Sequence, residues 1–263
     1  MVQENAASPY ELEETESGGE RPGYSPFPIV GVGASAGGLE AFRSFLAELP
    51  EKPGMAFVLI QHLDPKHESR LTEVLEKASP LPIREATHGT TVEPDHVYVI
   101  PPGSTMTIEK GTLLIVPRGQ ARAPHLTIDA FFRSLARDSR SRAIAVVLSG
   151  SGSDGTLGIV EVKAVGGITY AQDERTATHN AMPRSAVDSG SVDFVLPPAE
   201  IAHSIARIKS HPYLAASEPE QAPLRAPNDD YQRVLALVRR STGVDFANYR
   251  DTTIRRRIHR RMM

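Results

Sequence analysis

The segment from Phe27 to Phe45 constrains the fold of this chain more than any other stretch. Phe27–Val32 is a short apolar run rich in β-branched residues, which is typical of a buried strand. Residues 33–38, Gly-Ala-Ser-Ala-Gly-Gly, then turn the chain, and apolar side chains at helical spacing follow: Leu39, Phe42, Phe45 and Leu46. The pattern predicts a strand, a tight glycine turn and a helix, with Ser35 at the apex of the turn.

Three interpretations of this turn remain open on the residues alone. A serine between a strand and a helix N-terminus exposes its hydroxyl at the sheet edge, as in the nucleophile elbow of serine hydrolases. Ser35 could instead be the helix N-cap, a role for which serine is favoured. Gly31, Gly33 and Ala36 also fit the dinucleotide pattern G-x-G-x-x-A, but the next strand closes on Gln61–His62 rather than on the acidic residue that this pattern requires.

Length and composition limit the class of protein. A chain of 263 residues that is 40% hydrophobic can hold one large α/β domain and a smaller piece. The absence of cysteine excludes a disulfide framework and a thiolate metal site. No apolar run approaches the ~20 residues that span a bilayer, and the N-terminus lacks a signal-peptide pattern. We therefore expect a cytoplasmic protein without membrane insertion.

Charge divides the chain into an acidic head, a body and a basic end. Six Glu and one Arg give residues 1–26 a net charge of −5, and nine Arg and four Asp give residues 228–263 a net charge of +5. We interpret residues 1–26 as a disordered acidic tail, residues 27–213 as the α/β body, and the proline-containing residues 214–229 as a linker. Residues 230–263 then form a helical segment rich in arginine.

Strand patterns and helix patterns alternate through the body. Strands are expected at 27–32, 55–60, 83–86, 143–148, 168–171 and 192–196, and helices at 65–78, 127–136, 156–165, 181–188 and 199–209. This alternation predicts an α/β fold with a doubly wound, mostly parallel sheet. Short apolar runs between 97 and 117 predict antiparallel strands, which would form a hairpin on the edge of that sheet. Thr127 is expected to cap the helix that it begins.

Polar residues follow three of the predicted strands. Ser35 follows the first strand, His62 the second, and Asp154 lies in the glycine-rich loop after the strand at 143–148. Ligands of open α/β sheets bind at the carboxyl ends of strands, and acyl transfer uses a nucleophile, a base and an orienting carboxylate. The three positions therefore predict a Ser-His-Asp triad that requires neither a metal nor a cofactor.

Other residues compete for two of these roles. Five further histidines are rival bases, although none follows a long apolar strand so directly: His67, His88, His96, His125 and His179. Asp64 and Asp173 are rival carboxylates, and Asp154 on its own could cap the helix that begins near Thr156.

Six ordered blocks carry a family resemblance that covers residues 27–213: GVGASAGGLEAF, LIQHLDP, VYVIPPG, TIDAFFRSLA, VVLSGSGSDGTLG and MPRSAVDSGSVDFVLP. Together they resemble the catalytic domain of CheB-type chemotaxis protein-glutamate methylesterases. The resemblance implies a triad of Ser35, His62 and Asp154. It implies hydrolysis of glutamate γ-methyl esters on methyl-accepting chemoreceptors, with release of methanol and deamidation of certain glutamines. It implies no cofactor and no nucleic-acid partner.

Two departures from the family pattern bear on regulation and on the site. Relatives often carry an N-terminal receiver domain, whereas 26 residues precede this domain, so we expect no built-in receiver control. Ser151 stands in the Gly-Ser-Gly-Ser-Asp-Gly turn where the family often has methionine, and we expect altered packing there. A catalytically idle CheB-like module that binds receptors or scaffolds a hybrid sensory protein is the alternative function.

The end of the chain resembles a second family. Residues 231–263 resemble the start of the N-terminal helical subdomain of CheR-type methyltransferases, which helps to dock acidic receptor helices. Arg256 and Arg260 form an i,i+4 pair, as do Arg257 and Arg261, so each pair would share a helix face. We expect the front portion of a fused methylesterase–methyltransferase, associated with a sensor kinase, in which this chain itself has no methyltransferase activity.

Overall fold

The computed structural model describes residues 25–61, 71–118 and 126–208, together with Arg233, Leu235, Leu237 and Arg240. The chain divides into two compact units, residues 1–217 and 218–263. The predicted tail up to residue 24, the linker at 214–229 and His62 lie outside the described residues. Of the second unit, the four described residues are helical.

Within the described residues, the elements follow the expected alternation of strands and helices, and residues 65–70 of the helix predicted at 65–78 lie outside those residues. The strands are β1 Ile29–Ala34, β2 Ala56–Gln61, β3 Ile83–Glu85, β4 Thr90–Thr91, β5 Val97–Val99, β6 Ser104–Glu109, β7 Thr112–Pro117, β8 Ala143–Val147, β9 Ile168–Gln172 and β10 Phe194–Leu196. The helices are α1 Gly38–Leu46, α2 Leu71–Glu76, α3 Thr127–Ser139, α4 Thr156–Ala164, α5 Ala181–Asp188 and α6 Pro198–Ile208.

A parallel sheet in the order β10-β9-β8-β1-β2-β5-β3 organises the described body. β1 lies at its centre, with β8 on one side and β2 on the other. Ala34 at the end of β1 lies opposite Gln61 at the end of β2, and Gly33 lies opposite Val147 at the end of β8. Since all three strands are parallel, the loops that follow them leave from the same edge of the sheet.

Helices cover both faces of this sheet, which confirms the doubly wound architecture. One buried cluster joins Phe42 and Phe45 of α1 with Ile201 and Ile205 of α6. The other contains apolar residues of α3, α4 and α5: Ile128, Phe131, Phe132, Ile159 and Met182. Strand residues alternate between the two clusters because successive side chains of a strand point to opposite faces.

The antiparallel hairpin exists, but its position differs from the prediction. β6 and β7 pair antiparallel around Lys110 and Gly111, and with β4 they form a separate three-stranded sheet rather than an edge of the main sheet. β5 was expected among these antiparallel strands, yet it pairs parallel with β2 and β3. A three-residue apolar run carries no direction of its own, so the sequence could not assign β5 to the parallel sheet.

Gly31 and Gly33 allow α3 to approach β1 closely. A Cβ atom at Gly31 would lie 2.9 Å from Cε1 of Phe132, and one at Gly33 would lie 2.4 Å from Cγ2 of Ile128. Both glycines lie within the strand and not in the turn. They therefore have a packing role, and the dinucleotide pattern loses the turn glycine on which a phosphate-binding interpretation depends.

A double-mutant cycle tests this close approach. We expect Gly33→Ala to lower the free energy of unfolding by about 1–3 kcal/mol through overpacking, and Ile128→Ala to lower it by about 2–5 kcal/mol. Because the second change removes the atom that the new Cβ meets, the double variant should lose at least ~1 kcal/mol less than the sum. Urea unfolding of the four proteins measures this, and additivity of the two losses would contradict the packing role.

Candidate active site

Ser35 lies in the turn between β1 and α1. Its backbone N–H donates to the carbonyl of Ser149, with 3.0 Å between N and O, and its own carbonyl accepts from the N–H of Gly38 at 2.9 Å. The N-cap of α1 is Gly37, whose φ of 74° lies in the left-handed region. The interpretation of Ser35 as the helix N-cap is therefore wrong, and the serine lies two residues before that position.

The turn also presents two backbone amides beside Ser35. Among the described residues, no acceptor bonds the N–H of Ala36 or of Gly37. These groups lie where the N-terminus of α1 begins, and unpaired N–H groups at that end carry partial positive charge. The turn can therefore receive an anionic oxygen next to the serine.

Ser149, a buried residue just after β8, connects this turn to the loop at His179 and to the end of β9. Its hydroxyl donates to the carbonyl of Ala36 at 2.8 Å and accepts from the N–H of His179 at 3.0 Å. Its N–H donates to Oε1 of the buried Gln172 side chain at 2.8 Å. The sequence interpretation missed Ser149 and Gln172, although each residue comes at the end of a strand, which was the signal available.

Gly150, the next residue, also binds the backbone of the segment around His179. Its N–H donates to the carbonyl of His179 at 2.9 Å, and its carbonyl accepts from the N–H of Met182 at 3.0 Å. A Cβ atom at Gly150 would lie 3.1 Å from Cβ of Ser35 and 2.5 Å from Cε of Met182. The loop after β8 thus passes directly beside Ser35.

Asp154 belongs to this loop and is 3% exposed. Its Oδ2 accepts from the N–H of Ile128 at 3.0 Å, and its Oδ1 accepts from the N–H of Asp129 at 2.9 Å. The carboxylate therefore caps α3. The alternative role of Asp154 as the cap of the helix near Thr156 is wrong, since the N-cap of α4 is Gly155 with no side-chain cap.

The capping of α3 by Asp154 corrects the role expected for Thr127. Thr127 is the first residue of α3 and makes no cap bond, and its buried Oγ1 has no hydrogen-bond partner within the described ranges. Thr127 is a residue type favoured at helix caps and lies at the start of α3. The cap nevertheless comes from Asp154, which is 25 or more residues from the amides that it binds.

The Asp129 side chain lies beside Asp154. It is 4% exposed, and its Oδ1 accepts from the N–H of Gly158 at 2.7 Å. Burial raises the pKa of the Asp129 carboxyl above its usual value, and the negative charge of Asp154 adds to this rise, against the opposing effects of the Gly158 hydrogen bond and Arg133. The sequence interpretation did not single out Asp129.

His62 itself is outside the described residues, but the residue before it is not. Gln61 ends β2, and its Nε2 lies 3.6 Å from the position that a Cβ atom of Gly38 would occupy. The end of β2 is therefore next to the first turn of α1, since β1, which precedes α1, is the neighbour of β2 in the sheet. The triad of Ser35, His62 and Asp154 therefore stays a prediction.

The rival residues differ in their distance from this edge. Asp173 binds the backbone N–H and the hydroxyl of Thr176 within its own loop. His88 contacts the backbone of Ile115 in the small sheet, and His96 precedes β5 at the opposite end of its strand. Asp64, His67 and His125 lie outside the described residues.

Among the described rival histidines, His179 is the one near Ser35. Its Cδ2 lies 3.4 Å from the position of a Cβ on Gly37. Its side chain is exposed, while its backbone N–H and carbonyl bind Ser149 and Gly150. A second imidazole therefore stands at the rim of the turn, and an experiment must separate it from His62.

The described residues contain no group of three or more His, Cys, Asp or Glu side chains arranged to hold a metal ion. In the same ranges no helix has the length and apolar character needed to cross a membrane.

Comparisons with known proteins agree with both resemblances. Residues 30–205 match the family model of the CheB methylesterase, and residues 229–263 match that of the CheR methyltransferase all-alpha domain. A protein-glutamate methylesterase/protein-glutamine glutaminase of Desulfitobacterium hafniense (strain Y51) is 35% identical over 196 residues, 72% of this chain and 50% of that protein. A relative from Leptospira interrogans (strain Fiocruz L1-130) is 32% identical over 183 residues, 69% of this chain and 95% of the relative.

A solved structure has the same fold. The crystal structure of the Thermotoga maritima CheB methylesterase catalytic domain superposes with a TM-score of 0.64 at 29% identity, covering 69% of this chain and 98% of that one. The chain spans half the length of the D. hafniense relative, 50% of that protein.

A pair of glycine variants tests the packing of the Ser35 turn. Gly37 and Gly111 have φ angles of 74° and 71°, so Ala at either site should cost about 1–2 kcal/mol in backbone strain. At Gly37 the new Cβ would also lie 2.8 Å from Oγ of Ser149 and 2.9 Å from Cβ of Thr178, whereas at Gly111 it meets nothing within 4 Å. We expect Gly37→Ala to lower the free energy of unfolding by at least ~1 kcal/mol more than Gly111→Ala. Equal losses in urea unfolding would show that the contacts around Gly37 are loose.

Proposed function

This chain belongs to the CheB methylesterase family, and on that premise we propose that it is a protein-glutamate methylesterase of the serine-hydrolase type. Ser35 is the nucleophile, His62 the general base and Asp154 the carboxylate that orients it. The substrate is the γ-methyl ester of glutamyl residues on a methyl-accepting chemoreceptor, and the products are glutamate and methanol. Deamidation of receptor glutamines follows the same acyl chemistry.

The observation that best supports the proposal is the hydrogen bond from the Ser35 N–H to the Ser149 carbonyl. It joins the turn after β1 to the loop after β8, which carries Asp154. On the other side of β1, Gln61 brings the end of β2 against the first turn of α1. His62 is the next residue, and we propose that its imidazole lies at the edge where Ser35 and Asp154 follow their strands.

The proposed reaction begins with attack of the Ser35 hydroxyl on the ester carbonyl. Serine is too weakly acidic to attack alone, so His62 takes its proton and then gives it to the departing methoxide. Asp154 stabilises the imidazolium that forms between these steps. Each carboxylate oxygen of Asp154 has two acceptor sites, so the bonds from Ile128 and Asp129 leave capacity for an imidazole N–H.

Backbone amides would stabilise the tetrahedral oxyanion. The N–H groups of Ala36 and Gly37 have no acceptor among the described residues and lie at the start of α1. In serine hydrolases with a nucleophile elbow, the residue after the nucleophile donates to the oxyanion. One such donor is worth about 3–4 kcal/mol of transition-state stabilisation. Water then hydrolyses the acyl-enzyme, with His62 as base.

The remaining parts of the proposal concern partners and location. The D. hafniense relative is a protein-glutamate methylesterase/protein-glutamine glutaminase, and we propose a chemoreceptor as the partner in a chemotaxis-like pathway in the cytoplasm. The match of residues 229–263 to the CheR all-alpha domain supports an association with a methyltransferase, and a sensor kinase in the same assembly is part of the proposal.

Replacement of Ser35 tests the proposal directly. In Ser35→Ala the nucleophile is absent, so methanol release from a methylated chemoreceptor should fall by at least about 10³-fold. Ser44→Ala is the matched control, because Ser44 is an exposed residue on the adjoining α1 helix. Wild-type rates in a folded Ser35→Ala protein would end the proposal. Inactivity of the wild type on every methylated receptor would favour the idle receptor-binding module.

Two histidine variants decide which imidazole is the base. His62→Gln should abolish turnover, and His179→Gln should retain it, because only His62 directly follows a strand that adjoins β1. The reverse pattern would assign the base to His179 and leave the nucleophile unchanged.

A further inference from the structure

The buried carboxylate of Asp129 has no part in the mechanism above. It lies in the first turn of α3, 4% exposed, on the side of the sheet where the loop with Asp154 lies. A buried carboxylate is costly unless it is hydrogen-bonded, so its contacts indicate what it does for the fold or the site.

Asp129 and Asp154 cap each other's helices. Asp154 precedes α4 and accepts from the N–H groups of Ile128 and Asp129 in the first turn of α3. Asp129 belongs to α3 and accepts from the N–H of Gly158 in the first turn of α4. Two contacts therefore fix the loop that carries Asp154: the Asp154 carboxylate binds amides of α3, and the Asp129 carboxylate binds an amide of α4.

This arrangement brings two acidic groups together in a buried place. The charge of Asp154 and the burial of Asp129 both disfavour the ionised form of Asp129, which is the physical cause of its raised pKa. Amides at two helix N-termini, each with a partial positive charge, offset part of that cost. A neutral capping residue in place of Asp129 would avoid the repulsion between the two carboxylates. Helix capping alone therefore does not explain why both residues are aspartate.

We propose that Asp129 is a positioning residue that fixes the direction of the Asp154 carboxylate, and through it the catalytic imidazole. This rests on the function proposed above. Asp129 touches no reacting atom. It holds Gly158, in the first turn of the helix that follows Asp154, and thereby keeps both Asp154 oxygens aligned with the α3 amides.

Asp138 offers a matched control for variants of Asp129. It lies in the same helix, is 7% exposed, and likewise accepts a backbone N–H from another element, that of Gly111 at 3.2 Å. It lies at the other end of α3, where it holds the turn between β6 and β7. A substitution at either position therefore removes a buried carboxylate that accepts a backbone N–H. Of the two, Asp129 is the one that contacts the helix following Asp154.

The experiment uses the full chain and two readouts, and the Asp138 variant shows how far a general loss of stability changes each of them. The first is kcat and KM for methanol release from a methylated receptor, and the second is hydrogen exchange at the Ile128 amide, which Asp154 protects. Asp129→Ala should lower kcat by about 10²-fold, the cost of a small misplacement of a catalytic group, with KM unchanged. The Ile128 amide should exchange faster in the same variant. Asp129→Asn keeps an acceptor for the Gly158 amide and should restore most of kcat.

The outcomes separate this proposal from the proposed function. Asp138→Ala should leave both readouts at wild-type values, and an Asp129→Ala protein that behaves the same way overturns the positioning role. If Asp129→Ala does not fold, Asp129→Glu decides, since it displaces the carboxylate by one methylene: a lowered kcat supports the role and an unchanged kcat overturns it. If the wild type releases no methanol but Asp129→Ala still exposes the Ile128 amide, the proposed function fails while the hold on Asp154 is supported.

Discussion

The contact between Ile128 and β1 links the buried core of the described body to the candidate site. The Ile128 side chain occupies the space that a Cβ of Gly33 would fill, and its Cγ2 also lies 2.8 Å from the position of a Cβ on Gly155. The backbone N–H of the same residue donates to the Asp154 carboxylate. One residue therefore couples the packing of α3 on the central strand to the carboxylate of the candidate site.

The sheet order explains why the site can form from distant parts of the chain. Ser35 and Asp154 are separated by more than one hundred residues, yet they follow neighbouring parallel strands, and the Ser35–Ser149 hydrogen bond closes the gap between the two loops. One side chain and several backbone groups make the neighbouring connections: the Ser149 hydroxyl bonds the backbone of Ala36 and His179, and the N–H of Gly150 bonds the His179 carbonyl. These contacts therefore depend on the hydroxyl at position 149 as well as on backbone conformation.

Much of the fold could be predicted from the sequence because each signal was local. Runs of β-branched residues predicted β1, β2 and β8, and Pro183 within an amphipathic segment predicted α5 at its observed bounds. The direction of β5 and the separate sheet of β4, β6 and β7 could not be predicted, because strand pairing depends on contacts between distant residues. Ser35 and Asp154 were predicted as site residues from their positions after strands, and the structure describes both at one edge.

The roles that the sequence assigned wrongly or missed share a physical cause. Thr127 carries a favoured capping side chain, but the cap comes from Asp154 in a loop that is remote in sequence. The reciprocal bond of Asp129 to Gly158 joins residues 29 positions apart. Residue propensities describe local interactions within a helix and its caps. They do not predict a hydrogen-bond partner that the tertiary fold brings to the helix from a distant part of the chain.

Covalent capture of the nucleophile would identify the reacting serine. The full chain would be incubated with a fluorophosphonate, which reacts with an activated serine, and the modified residue would be identified by mass spectrometry of its peptides. The account predicts a single modification at Ser35, with Ser149, Ser151 and Ser153 unmodified although they lie in the adjoining loop. Modification at another serine, or none on a folded protein, would contradict it.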